Sequence, residues 1–307
     1  MSAAAPPWLW IALTVGAALA QTFRNAAQRH LTASLGTLGA SLVRFLYGLP
    51  FTLAWIAAVS TWGGFPLPSV TPSLAAWIFC GAVMQVTATV LLLQVMEERN
   101  FALGIAYSKT DTMLAAVFAF AVLGEAIAPS IVLAIGVGTL GVMLLSPADP
   151  RHPIRALLTG WTTRSALLGI ACGANFAFSG VCFRAAALSM TDVHYAMAAA
   201  TILASAQFLQ TLMLGGWLLA RQAGTLKLVV REWRTSLFAG LMGATASSGW
   251  FTAVAIEPIA HVRTLGLIEL VFVYLVSRRF FREKIAPREI TGMVLLALGL
   301  AIVTFFR

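Results

Sequence analysis

Ten apolar runs, each roughly 20 residues long and set apart by short polar turns, constrain this chain more than any other feature. They fall at about 8–31, 39–59, 74–95, 101–123, 127–145, 165–188, 194–219, 235–256, 262–280 and 287–306. At about 1.5 Å of rise per residue, a helix of that length crosses a hydrocarbon core of about 30 Å. Inside such a core every backbone polar group must be satisfied by the chain itself, which leaves helices and closed barrels. The runs lack the in-and-out alternation of barrel strands. The sequence therefore predicts an all-α polytopic membrane protein of ten transmembrane helices. Composition agrees: 60% of the 307 residues are hydrophobic, 10% are charged, and mean hydropathy is +0.88.

The net charge of +9 does not mark a nucleic-acid binder, because Lys and Arg lie in the short connections rather than in a basic domain. Lipid head groups are the expected counter-charge. Cys80, Cys172 and Cys182 are odd in number and lie within apolar runs, so they read as packing residues and not as a disulfide framework. Trp8 to Ala20 has the look of a signal peptide, yet no basic residue precedes it and the apolar pattern continues to Leu31. It is read as the first retained span.

The two halves of the chain resemble each other. Glu125-Ala-Ile127-Ala128-Pro129 returns as Glu283-Lys-Ile285-Ala286-Pro287, an offset of 158 that also carries Asp111 onto Glu269, Thr87-Ala88 onto Thr245-Ala246, and Gly141 onto Gly299. At an offset of 160, Phe23-Arg24 meets Phe183-Arg184. This divides the chain into a first five-helix repeat at 1–146, a linker at 147–164 and a second five-helix repeat at 165–307. An odd number of spans per repeat inverts the second half, the plan of many secondary transporters, whose substrate site lies near the midplane. The linker holds Pro147, Pro150 and Pro153 among arginines. Ala220 to Arg234 reads either as a short interfacial helix or as a charged loop.

Several motifs in this order resemble one family. They are Leu42-Val-Arg44-Phe45 opening span two, Leu123-Gly124-Glu125 closing span four, Ile268-Glu269-Leu270-Val271-Phe272 in span nine, and Glu283 before the last span. Together they resemble the EamA family of the drug/metabolite transporter superfamily, over nearly the whole chain. The resemblance implies an alternating-access carrier whose relatives export amino acids, other small metabolites or drugs, and it does not transfer a substrate. Four-helix multidrug relatives place an essential glutamate in their first span. Here Gln21, Arg24 and Asn25 occupy that helix, which counts against simple export of cationic drugs.

Charged groups inside spans cost several kcal/mol and are functional candidates. Asp111 and Glu269 each lie ~10 to 14 Å into a span, near the midplane. They bind an ammonium group or carry a coupling proton, or else they pair with a basic residue to hold the bundle. Tyr107, four residues before Asp111, shares its face in a continuous helix, and Lys109 does not. Gln21, Arg24 and Gln28 form a polar stripe on span one. Arg24 is a candidate clamp for a substrate carboxylate, with an ion pair to Asp111 or Glu269 as the alternative. Arg44 divides between a site role and head-group anchoring, and Asn175 between a cavity wall and an interhelical hydrogen bond. Glu125 and Glu283 read as turn and helix-entry residues, and His194 and His261 as interfacial residues without metal-ligand companions.

No hydrolase, metalloprotease or phosphate-loop signature is present, so no catalytic residue, metal or cofactor is expected, nor is an enzyme. The expected function is secondary active transport of a small polar metabolite, an amino acid or related zwitterion, by export through a bacterial-type inner membrane. Import of a nutrient and export of a cationic drug are the alternatives, and proton coupling and a monomeric or homodimeric state stay open. Fourteen Lys and Arg residues follow odd-numbered spans, whereas only Arg263 and Arg307 lie on the opposite side. The positive-inside rule then puts both termini outside the cytoplasm, although many relatives of the family are drawn the other way.

Overall fold

The computed structural model describes residue 6 and residues 8–124, 136–137, 140–141, 144, 163–257, 262 and 265–305. Among these residues the fold is all-α, without strands. The helices are α1 (Leu9–Leu46), α2 (Leu49–Thr61), α3 (Pro72–Glu98), α4 (Phe101–Ser108), α5 (Asp111–Leu123), α6 (Arg164–Leu188), α7 (Tyr195–Arg221), α8 (Ala223–Arg231), α9 (Trp233–Ile256), α10 (Glu269–Arg279) and α11 (Pro287–Phe305), with a 3-10 turn at Gly266–Ile268. Five described stretches are long and apolar enough to cross a membrane: 9–61, Pro72–Glu98, Phe101–Leu123, Arg164–Leu188 and Tyr195–Arg221. The fifth run, at 127–145, lies largely outside the described residues, as do Glu125, His261 and most of the linker.

The runs expected at 8–31 and 39–59 are not separated by a loop. Helix α1 passes from one into the other through a kink at Gly36, where φ is 67° and ψ is 171°. A side chain at that φ would press on the neighbouring carbonyl, so glycine is the residue that permits the bend. The amide of Gln28 donates to the carbonyl of Ala40 across the kink at 2.9 Å. The chain breaks a second time at Tyr47 and Gly48, where α2 begins with Pro50 in its first turn. Gln207 on α7 donates to the carbonyls of Arg44 and Phe45 at 3.2 and 3.1 Å, satisfying acceptors that the end of α1 leaves open.

The expected fourth run is not one regular helix. Lys109, Thr110 and Thr112 donate three residues back, to Ala106, Tyr107 and Lys109, so the ladder tightens before α5 starts at Asp111. The ninth run is broken in the same manner by the 3-10 turn before Glu269. Helix α5 ends at Gly124, whose φ of 70° makes the left-handed cap that returns its N–H to Phe120. Residues 223–231 form helix α8, which settles that segment as a helix rather than a loop.

The chain forms two compact units, and neither is a sequence half: the first comprises residues 1–86 and 182–269, the second 87–181 and 270–307. In the first unit Leu74, Ile78 and Ala82 pack with Phe183, Met190, Ile202 and Ala206, and Leu42 and Phe45 with Leu214 and Leu218. In the second, Phe101 is fully buried with its ring 5.1 Å from that of Phe281. Asn100 caps α4 through Leu103 N–H at 2.8 Å, and the Glu283 carboxylate accepts from Phe101 N–H at 2.8 Å and from the Ser277 hydroxyl. Glu283 is thus a helix-entry residue, but for α4 and not for the helix that follows it. That place is taken by Glu289, which accepts from Ala286 N–H at 2.8 Å.

Candidate functional site

In the first unit the polar stripe of α1 faces α9 and the start of α10. Glu269, the first residue of α10, is completely buried. It accepts from Gln21 Nε2 at 2.8 Å and, at a long 3.5 Å, from Asn25 Nδ2. Gln21 Oε1 in turn accepts from the indole of Trp250 on α9 at 3.1 Å, and Asn25 Oδ1 accepts from Arg24 Nη2 and Nε at 2.7 and 3.2 Å. Indole and guanidinium only donate, so each end of the chain dictates which way its amide points. Both amides are left presenting N–H groups to the carboxylate. An ionised carboxylate only accepts, and the arrangement matches it.

Arg24 and Arg44 lie on opposite arms of the α1 kink and both run past Gly243 of α9. A Cβ there would sit 3.2 Å from Arg24 Cδ and 3.5 Å from Arg44 Cγ, so the missing side chain is what lets the two stems pass. Arg44 also lies 5.3 Å from the centre of the Phe45 ring. The buried charged residues described in this unit are Arg24, Arg44 and Glu269. Among the described buried residues of this unit, guanidinium groups outnumber carboxylates two to one.

Beside Arg44 is a crevice of about 190 Å³, open solvent included, lined by Phe45, Gln85, Leu203, Gln207, Gln210, Gly243 and Ser247. Gln210 Nε2 donates to Gln85 Oε1 at 2.7 Å. Sequence reasoning passed over these amides, although each interrupts an apolar run and Gln207 and Gln210 share a face of α7 at a spacing of three. It also missed Asn25 as the link between Arg24 and Glu269, four residues from Gln21 on the same face.

Asp111, Tyr107 and Asn175 belong to the second unit. Asp111 is buried and accepts from the Thr112 hydroxyl at 3.2 Å. It is the first residue of α5, where the helix dipole favours an anion, as Glu269 is of α10. Tyr107 is fully buried beside Gly169, and the tightened turn takes away the regular helix on which it was expected to share a face with Asp111. Lys109 is buried. The amide of Asn175 donates to the Ala171 carbonyl of its own helix at 2.8 Å. His194 caps α7, its Nδ1 accepting from Ala196 N–H at 3.3 Å, and its ring stacks on Phe65. No cluster of three metal-binding side chains occurs among the described residues.

No protein-family model and no curated protein matches the chain. A solved protein crystal structure is similar over 97% of this chain and 96% of its own, with a TM-score of 0.58 and 17% sequence identity. At that identity the likeness concerns the fold alone.

Proposed function

We propose that the protein is a ten-span, inverted-repeat carrier of the EamA type that moves a small polar metabolite, an amino acid or related zwitterion, across a bacterial-type inner membrane by alternating access. Export is the direction favoured by the resemblance. The observation that carries this reading is the network of Gln21, Arg24, Asn25 and Glu269, with Arg44 buried near Arg24 across Gly243. Keeping three ionised groups in an apolar bundle costs several kcal/mol, and such groups in membrane proteins line substrate or ion paths. The excess positive charge favours a substrate with an anionic group over a cationic drug. Glu269 supplies the group for proton coupling, since its hydrogen bonds to two amides are rearranged when the carboxylate takes a proton.

The test is uptake into proteoliposomes holding the purified protein, with labelled amino acids, dicarboxylates, polyamines and quaternary ammonium compounds, with and without a pH gradient. Saturable uptake of amino acids that Glu269→Gln cuts by about tenfold or more is the expected result. Preference for permanently cationic compounds would replace it with the drug-export reading.

A further inference from the structure

Residues 221–234 carry four basic side chains and one acid, Glu232. The charge is not spread evenly around α8. Thr225 and Val229, four residues apart, form its inner face: a Cβ on Gly39 of α1 would sit 2.8 and 3.8 Å from their Cγ2 atoms. Tyr47 donates its hydroxyl to the Val229 carbonyl at 3.1 Å, and Leu226 packs against the cluster of Leu42, Phe45, Leu214 and Leu218. Lys227 and Arg231 are each two residues from Val229, so they share the opposite, outer face. Both are exposed, and neither has an ion-pair partner among the described residues. Leu228 and Val230 flank them and are 40% and 66% exposed. A helix that only closed the end of the bundle would need apolar residues on its inner face alone.

The two ends of this unit differ in charge. At the α8 end Arg221 closes α7, and Arg234 lies in the first turn of α9 with its guanidinium 5.5 Å from the centre of the exposed Trp233 ring. At the other end, where Phe65 stacks on His194, residues 62–71 and 189–194 hold no Lys or Arg and include Asp192. Helix α7 has 27 residues and is apolar enough to cross a membrane. Its length of about 40 Å exceeds a hydrocarbon core of about 30 Å, which leaves its last turn and α8 at head-group level. Cations beside exposed Trp, Leu and Val fit a layer that is anionic outside and apolar beneath, whereas a soluble anion has no use for the aliphatic flanks. We infer that the outer face of α8 is a binding site for anionic phospholipid: Lys227 and Arg231 take the phosphodiester, and Leu228, Val230 and Trp233 meet the upper acyl chains. This inference rests on the membrane spans and is independent of the substrate and of the carrier reading.

The experiment titrates the full-length protein in a neutral detergent with phosphatidylglycerol, with phosphatidylcholine of the same chains, and with inorganic phosphate. Bound lipid is read by native mass spectrometry and stability by a thermal melt. Phosphatidylglycerol should bind at lower concentration than phosphatidylcholine and raise the melting temperature more. That preference should shrink between about 0.1 and 1 M salt, as the screening length falls from about 10 to 3 Å. The double variant Lys227→Gln, Arg231→Gln should raise the half-saturating concentration of phosphatidylglycerol about fivefold or more and leave that of phosphatidylcholine unchanged. Lys227→Gln alone should give a smaller shift in the same direction, which keeps the site testable should the pair not fold. The charge-preserving exchange Lys227→Arg, Arg231→Lys should bind as wild type does. Equal binding of the two lipids, or glutamine variants that bind phosphatidylglycerol as wild type does, overturns the site. Phosphate that stabilises as much as phosphatidylglycerol makes it a soluble-anion site and overturns the lipid assignment. Loss of binding in the charge-preserving exchange traces the effect to packing and overturns it too. The carrier reading stands or falls separately, on the uptake assay.

Discussion

Glu269 is held by donors on both sides, which makes its charge testable without changing its shape. In Glu269→Gln the new amide must turn one N–H toward Gln21 or Asn25, both already donating, so a donor faces a donor in the interior. Transport is expected to fall by about tenfold or more, with a stability cost of about 1–3 kcal/mol in a thermal melt of the detergent-solubilised protein. Asp111→Asn should also cut transport while the protein stays inserted; two variants with wild-type uptake would confine both acids to scaffolding. Asn25→Ala takes the acceptor from Arg24, and a melting temperature equal to wild type would show that Arg24 does not depend on it. Arg24, Arg44 and Glu269 were legible in the sequence because a charge inside an apolar run is costly enough to need a reason. Gln85, Gln207, Gln210 and Asn25 were not, because a neutral amide costs little in a span and is as often a packing bond. Only the fold shows which amides turn toward an arginine and which, like Asn175, turn back to their own helix.

Helices are where pattern and structure part most clearly. Hydropathy located the runs, since lipid selects for length and apolarity, but it carries no record of how the backbone bends within them. The kink at Gly36, the tightened turn before Asp111 and the 3-10 turn before Glu269 all occur inside or between runs that read as uniform. Gly124 in the Leu-Gly-Glu motif was visible, and its left-handed φ gives the motif a physical reason. Asp111 and Glu269 correspond at the offset of 158, and each opens a helix just after an irregular turn. A helix start within a run sets each acid at the positive end of the helix dipole, so the two share a local environment that the sequence match alone did not explain. The kink also yields a prediction. Gly36 is exposed and has nothing near its missing Cβ, so Gly36→Ala costs only backbone strain, about 1–2 kcal/mol. The melting temperature should drop by a few degrees, and an unchanged value would show that the bend does not need glycine.

For the whole molecule, the sequence repeat and the compact units divide the chain differently: the halves part near the linker, but each unit takes residues from both halves. A repeat is inherited along the chain, whereas compactness follows contacts. Orientation depends on neither. It follows from which connections carry Lys and Arg, since basic loops resist translocation. The connection through α8 is a strong case, with Arg221, Lys227, Arg231 and Arg234 around an amphipathic helix whose Leu228 and Val230 are exposed. Such a helix suits the surface of an anionic leaflet, which in bacteria is reinforced by the potential that draws cations inward. If the α8 connection is cytoplasmic and ten spans are present, both termini are external, against the topology drawn for many relatives of the EamA family. A C-terminal fusion reads this directly: alkaline phosphatase should be active and a fluorescent reporter dark. Bright cytoplasmic fluorescence with no phosphatase activity would mean that the basic connections face outward and that the charge count does not set the topology.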